Sequence, residues 1–120
     1  MSVLGTQSGR DNLIAGDFPI VTESGTLITG QNLTRGALLG QITASKKWTL
    51  SLSAAVDGSQ TPKAILAKDM DASAADKVVP LYVSGEFNQN ELTYGTGHTA
   101  ASVQPGLKQY SIFLKDTVQA

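Results

Sequence analysis

The chain has no cysteine, which excludes disulfides, thiolate metal sites and cysteine nucleophiles outright. It has a single histidine, His98, so an imidazole metal cluster is short of ligands and a catalytic triad has only one candidate base. Charge is scarce: 16% of the 120 residues are Asp, Glu, Lys or Arg, against roughly 25% in ordinary soluble domains. The 9 basic and 10 acidic side chains leave a net charge of -1, which gives neither nucleic acid nor an anionic membrane an electrostatic footprint. No stretch approaches the ~20 apolar residues of a membrane span. The N-terminus, MSVLGTQSGRDNL, lacks the apolar core of a signal peptide. The expectation is a protein made soluble in a cytoplasm, with no nucleic-acid or membrane partner. The sequon Asn32-Leu33-Thr34 carries no meaning without a secretory route.

What is present is small and polar. Eleven Ser and twelve Thr, with many Asn and Gln, supply the polarity. Such a surface suits protein contact, because burying a hydroxyl or amide costs less than burying an unpaired charge. One domain with a modest core is what 120 residues allow. Residues 1–12 carry Gly5, Gly9 and only Val3 and Leu4 as large apolar side chains, the composition of an arm. The division is therefore an N-terminal arm, 1–12, and a single β-rich domain, 13–120.

Turn signals about ten residues apart between Leu13 and Ile42 favour an all-β fold. Gly36 and Gly40 bracket a strand that approaches another backbone closely, or bulges. Trp48-Thr49-Leu50-Ser51-Leu52-Ser53 alternates with period 2, placing Trp48, Leu50 and Leu52 on one face. The stretch PKAILAKDMDASAADKVVPLYVSGEF, residues 62–87, organises the rest: two apolar runs, Ala64–Ala67 and Val78–Val83, flank an acidic connection. They read as two strands of a small barrel or sandwich, the second ending on the turn signal Ser84-Gly85. The second run is apolar on both faces, so one face meets the core and the other is a candidate for contact with another chain. Pro80 cannot donate to a ladder, which places it at an edge or a bulge. Asn88 and Glu91 suit a capped helix of one or two turns, with Phe87 stapled onto Leu92. Thr96–Ser102 reads as a loop, and Pro105 as the opening of a second short helix.

Chemistry finds little support. Asp69, Asp71 and Ser73 imitate the first half of a calcium loop, but the positions that need Gly and Glu are Ala74 and Pro80. A solvated loop is the expectation, without metal. His98 has no Gly-x-Ser-x-Gly elbow to serve and reads as a surface histidine. Asp57, Asp69, Asp71, Asp76 and Glu86 could pair as carboxylates, yet Asp57, Asp69 and Asp71 sit beside turns, where Asp bonds its own backbone. No glycine-rich stretch ends in Gly-Lys-Ser/Thr. The expectation is no catalytic residue, no cofactor and no metal.

Six segments in order and spacing resemble the head decoration (capsid-stabilising) proteins of lambda-like tailed bacteriophages. They are Asn12-Leu13-Ile14-Ala15-Gly16, Arg35-Gly36-Ala37-Leu38-Leu39-Gly40, Asp57-Gly58-Ser59, Ala64-Ile65-Leu66-Ala67, Val83-Ser84-Gly85-Glu86-Phe87 and Ser111-Ile112-Phe113-Leu114. The resemblance implies a mainly β fold, a small β-barrel or β-tulip-like domain with one or two short helices and an extended N-terminal arm. It implies a homotrimer on the outer surface of the virion, at three-fold and quasi-three-fold sites of the expanded head, with the major capsid protein as partner. Such a cement protein stabilises the shell against internal DNA pressure and is not an enzyme. Carried to this sequence, the capsid-binding arm is Ser2, Val3, Leu4, Gly5, Thr6, Gln7, Ser8, Gly9 and Arg10. The candidates for a trimer or capsid interface are Val78, Pro80 and Tyr82. The alternative of another class is a small β-barrel that binds a peptide or ligand; a concave pocket lined by aromatics would favour it.

Overall fold

The computed structural model describes residues 13–16 and 18–116. Among these residues turns separate eight strands: β1 (Val21–Leu27), β2 (Gln31–Leu33), β3 (Leu38–Gln41), β4 (Trp48–Leu50), β5 (Pro62–Leu66), β6 (Met70–Ala72), β7 (Lys77–Asn88) and β8 (Ile112–Lys115). Among the described residues a 3-10 turn, Gln89–Glu91, and an α-helix, α1 (Ala100–Lys108), accompany them. Strand order is β1-β4-β3-β5-β7-β8, and β1 also pairs with β7. The first five therefore close into a barrel, as the mainly β expectation required. Closure rests on the long antiparallel pairing of β1 with β7 and a single parallel pair, Leu27 with Trp48, between β1 and β4. A separate ribbon pairs β2 with β6, and β8 lies parallel to the last four residues of β7.

There are two apolar layers. Leu27, Leu39, Leu66, Val79 and Leu81 fill the barrel, with Trp48 and Leu50 half-buried against them. Leu38, Ile65 and Phe87, from the outer face of the same strands, pack under Val103 and Leu107 of α1 and against Ile112 and Leu114 of β8. Alternate residues of β3 and β5 thus serve different layers, which is why both strands read as unbroken apolar runs. Gly40 is required by a close approach: a Cβ there would lie 2.0 Å from the Ser59 carbonyl oxygen.

The structure corrects several local expectations. Ser84-Gly85 does not end a strand. It lies inside β7, where the register with β1 jumps from Val21–Ser84 to Thr22–Tyr82 and Gly85 adopts φ 140°. The signal is a bulge, which uses the same glycine as a turn but bends the strand instead of reversing it. The alternation that begins at Trp48 ends after Leu50: Ser51 is fully buried and Leu52 is 41% exposed. The Asn88 cap is present, its Oδ1 accepting from the Asn90 N–H at 3.0 Å, but it starts only the 3-10 turn. The second helix begins at Ala100, inside the expected loop. Thr99 caps it through a reciprocal box with Ser102, a hydroxyl standing where Glu or Gln is usual. Pro105 then lies within the helix and not at its start, removing one intrahelical donor on the exposed side.

Candidate attachment face

The arm candidates, Ser2 to Arg10, lie outside the described residues. The point where the chain joins the domain is well defined. Leu13 is buried in the outer layer, and its carbonyl accepts from the Asn88 N–H at 2.7 Å. The Ala15 N–H donates to the Glu86 carbonyl at 2.9 Å, so Ile14 bridges Phe87 in antiparallel fashion. Further along, the Phe18 N–H meets Glu86 Oε1 at 3.4 Å. The buried Ser84 hydroxyl donates to the Pro19 carbonyl at 2.8 Å and accepts from the Val21 N–H at 3.1 Å. Phe18 also stands edge-on to Phe113 of β8, ring centres 4.9 Å apart. Lys115 reaches Glu86 Oε2 at 3.4 Å. Both ends of the described chain therefore converge on the second half of β7.

Val78, Pro80 and Tyr82 alternate along the outward face of β7, opposite the inward Val79 and Leu81. Val78 is 71% exposed. Pro80 is half-buried, and its carbonyl accepts from the Ala67 N–H at 3.1 Å. Proline cannot return the bond, and the Ala67 carbonyl opposite it accepts from Arg35 Nη1 at 3.2 Å instead. Tyr82 is engaged within its own domain: its hydroxyl accepts from Arg35 Nη1, the guanidinium lies 5.3 Å from its ring centre, and the ring packs against Phe87.

The acidic connection contains a strand, β6, instead of a plain loop, and its carboxylates are spent on backbone and neighbouring side chains. Asp69 Oδ1 accepts the Arg35 N–H at 2.7 Å. The Ser73 hydroxyl and N–H hold the Asp71 carboxyl below its ordinary value. Lys47, 2.7 Å away, and the Thr29 N–H do the same for Asp76. Among the described residues no three or more His, Asp or Glu side chains are grouped to hold a metal ion.

Sequence reasoning missed the placement of His98. It is half-buried, with Nε2 3.0 Å from the Ser51 Oγ. That hydroxyl donates to the Ser59 carbonyl at 2.7 Å, so the imidazole must donate to the serine oxygen. A general base needs the reverse polarity. The pair joins two loops, with the Ser53 N–H bonded to the Thr96 carbonyl at 3.1 Å beside it. No local motif announces it, because Ser51 and His98 lie 47 positions apart.

A filled barrel, a helix-covered outer layer and two chain ends rooted on one strand define a structural module. The family model for the bacteriophage lambda head decoration protein D matches residues 7–112. The chain belongs to that family and is a phage head decoration protein, placed on the capsid surface of the virion. The match begins within the segment expected to be an arm and ends at the first residue of β8. No individual curated protein matches the chain.

Proposed function

We propose that the chain binds as a homotrimer at three-fold and quasi-three-fold sites of the expanded head. There it lays its arms on the major capsid protein and stabilises the shell against internal DNA pressure. The observation that carries this reading is the family match, which includes residues 7–12 of the arm. The rooting of Leu13 on β7 supports it. An extended arm that adds a strand to a partner gains affinity from main-chain hydrogen bonds and needs little side-chain chemistry, which suits a segment of Ser, Thr, Gln and Gly. Ordering ten residues costs on the order of 1–2 kcal/mol each, so one arm binds weakly. Three arms on one trimer raise the avidity by ~10²–10⁴ when the sites are correctly spaced. An unexpanded shell is then rejected on geometry.

The ligand-binding alternative loses ground, because Leu27, Leu39, Leu66, Val79 and Leu81 occupy the interior that a ligand would need. The test is cosedimentation with empty expanded heads, comparing the full chain with one lacking residues 1–11. The full chain should decorate and the deletion should not; equal decoration would sink the arm reading. Light scattering of the free protein should give about 37 kDa, three copies of the 12.5 kDa chain.

A further inference from the structure

We propose that Asp57-Gly58 is the site at which this chain isomerises its own backbone, and that Gln60 and Thr43 keep the site closed while the loop is folded. It is the one Asp-Gly pair in the sequence, and no Asn-Gly pair occurs. Asp before glycine is the pair most open to this chemistry, because no side chain shields the glycine nitrogen. That nitrogen attacks the aspartate Cγ and forms a C–N bond. The neutral carboxyl loses its hydroxyl, which leaves as water with the amide proton. Water then opens the cyclic imide at either carbonyl. Opening at the old main-chain carbonyl leaves an isoaspartate, in which the chain runs through Cβ and Cγ and the α-carboxylate becomes the branch. The water lost is regained, so no oxidant or further reactant is needed.

The fold holds both reacting groups away from that step. The ring closes only if the peptide unit between Asp57 and Gly58 turns, and both polar ends of that unit are tied. Its carbonyl accepts from the Thr43 N–H at 2.9 Å, and its N–H donates to Gln60 Oε1 at 2.8 Å. Gly58 stands at φ 104°, and a Cβ on it would lie 2.1 Å from Thr43 Oγ1, so the unit has little play. The Asp57 carboxylate is drawn to Ser59, its Oδ1 accepting from the Ser59 N–H at 3.0 Å and from the hydroxyl at 2.6 Å. Those bonds hold the carboxyl below its ordinary value, in the ionised form that is the poorer electrophile. The product does not fit the same place. Ser59 is buried, its carbonyl takes the Ser51 hydroxyl, and the same carbonyl lies against Gly40. A main chain longer by one carbon carries Ser59 off these partners and loosens the Ser51–His98 contact that joins the two loops. An event at an exposed carboxylate thus reaches a buried junction.

The experiment incubates the full chain at neutral pH and follows isoaspartate in two ways. Peptide mapping finds an isomer of unchanged mass and altered elution, and an isoaspartyl methyltransferase labels it. The label should fall on the peptide that holds residues 57 and 58, and Asp57→Glu, whose ring would be larger, should abolish it. Formation should run at least about tenfold faster in urea than in the folded chain. In the folded state Gln60→Ala should speed it ~3–10-fold, the effect of freeing one hydrogen-bonded amide, with a melting temperature within a few degrees. Gln60→Glu keeps an acceptor for the Gly58 N–H and should stay slow. Exchange of the Gly58 amide in the unmutated chain reads the same restraint without a substitution, and should be slowed at least about tenfold. Label that accumulates elsewhere, equal rates in the folded and unfolded chain, or an unprotected Gly58 amide overturns the proposal. A Gln60→Ala chain that keeps its fold and isomerises no faster overturns the assignment of Gln60.

Discussion

The two halves of β7 are one continuous strand built on different rules. From Lys77 to Val83 the chain pairs with β1 on one side and β5 on the other, and Val79 and Leu81 point into the barrel. From Gly85 to Asn88 it pairs with β8 on one side and the entering chain on the other. In that half Phe87 is the anchor, buried in the outer layer, while Glu86 and the Asn88 backbone hold the chain ends. The first half closes the fold; the second fastens the parts that face outward from it. The bulge at Ser84 and Gly85 separates the two by switching which side of the strand is apolar.

Substitutions can test that division. The largest effect is expected at Phe87→Ala, a loss of ~3–5 kcal/mol for a fully buried aromatic ring, read from urea unfolding. If the second half of β7 were only a peripheral attachment, the loss would fall well below 2 kcal/mol. Gly85→Ala should cost about 1–3 kcal/mol, because φ is 140° and the new Cβ would lie 2.9 Å from Phe87 Cζ. A neutral outcome would mean that the bulge relaxes and is not the boundary between the halves.

Acid should act on the barrel end of β7, around Asp71 and Asp76, and on Asp57. All three have carboxyls held below the ordinary value of 3.8, by Ser73, Lys47 and Ser59 respectively. A lowered folded-state value stabilises above the unfolded value and is lost as pH falls through the folded one. The urea midpoint should therefore hold level from pH 7 to about 5 and drop below about 4. A midpoint that is level down to pH 2 would remove these contacts from the account. The smallest effect is expected at Val78→Ser, under about 0.5 kcal/mol for an exposed site. If dissociation of the proposed trimer nevertheless shifts to higher protein concentration, Val78 contacts a neighbouring subunit.

The sequence showed most where one residue type has one physical use. The run Ala64–Leu66 is apolar at every position because each side of β5 meets a separate apolar layer. The run at Val78–Val83 looked the same, yet Val78 is largely in solvent. Hydropathy counts side chains and does not register where a neighbouring layer ends. Signals with two physical uses are ambiguous. The Gly85 position served a bulge and not a turn, and Pro105 sits inside a helix whose start, Thr99, lacks the usual Glu or Gln partner. Trp48 began a strand as expected, but Ser51 turned inward because its hydroxyl has buried partners. Least accessible were contacts between distant positions. Nothing near Glu86 indicates that Gly16 lies against its carboxylate, and nothing near His98 indicates Ser51.

The pairing of β1 with β7 has a kinetic consequence. Val21 and Ser84 are separated by 63 positions, so the barrel cannot close until most of the chain is in place. Non-local pairings of this kind require loop closure before any contact rewards it, and they put folding on the millisecond-to-second scale. The same late closure places a barrier in front of unfolding, because β1 must peel from the whole first half of β7 before the interior opens. A protein that has only to stay folded on a particle surface is then protected by how slowly it comes apart, as well as by how much it is stabilised.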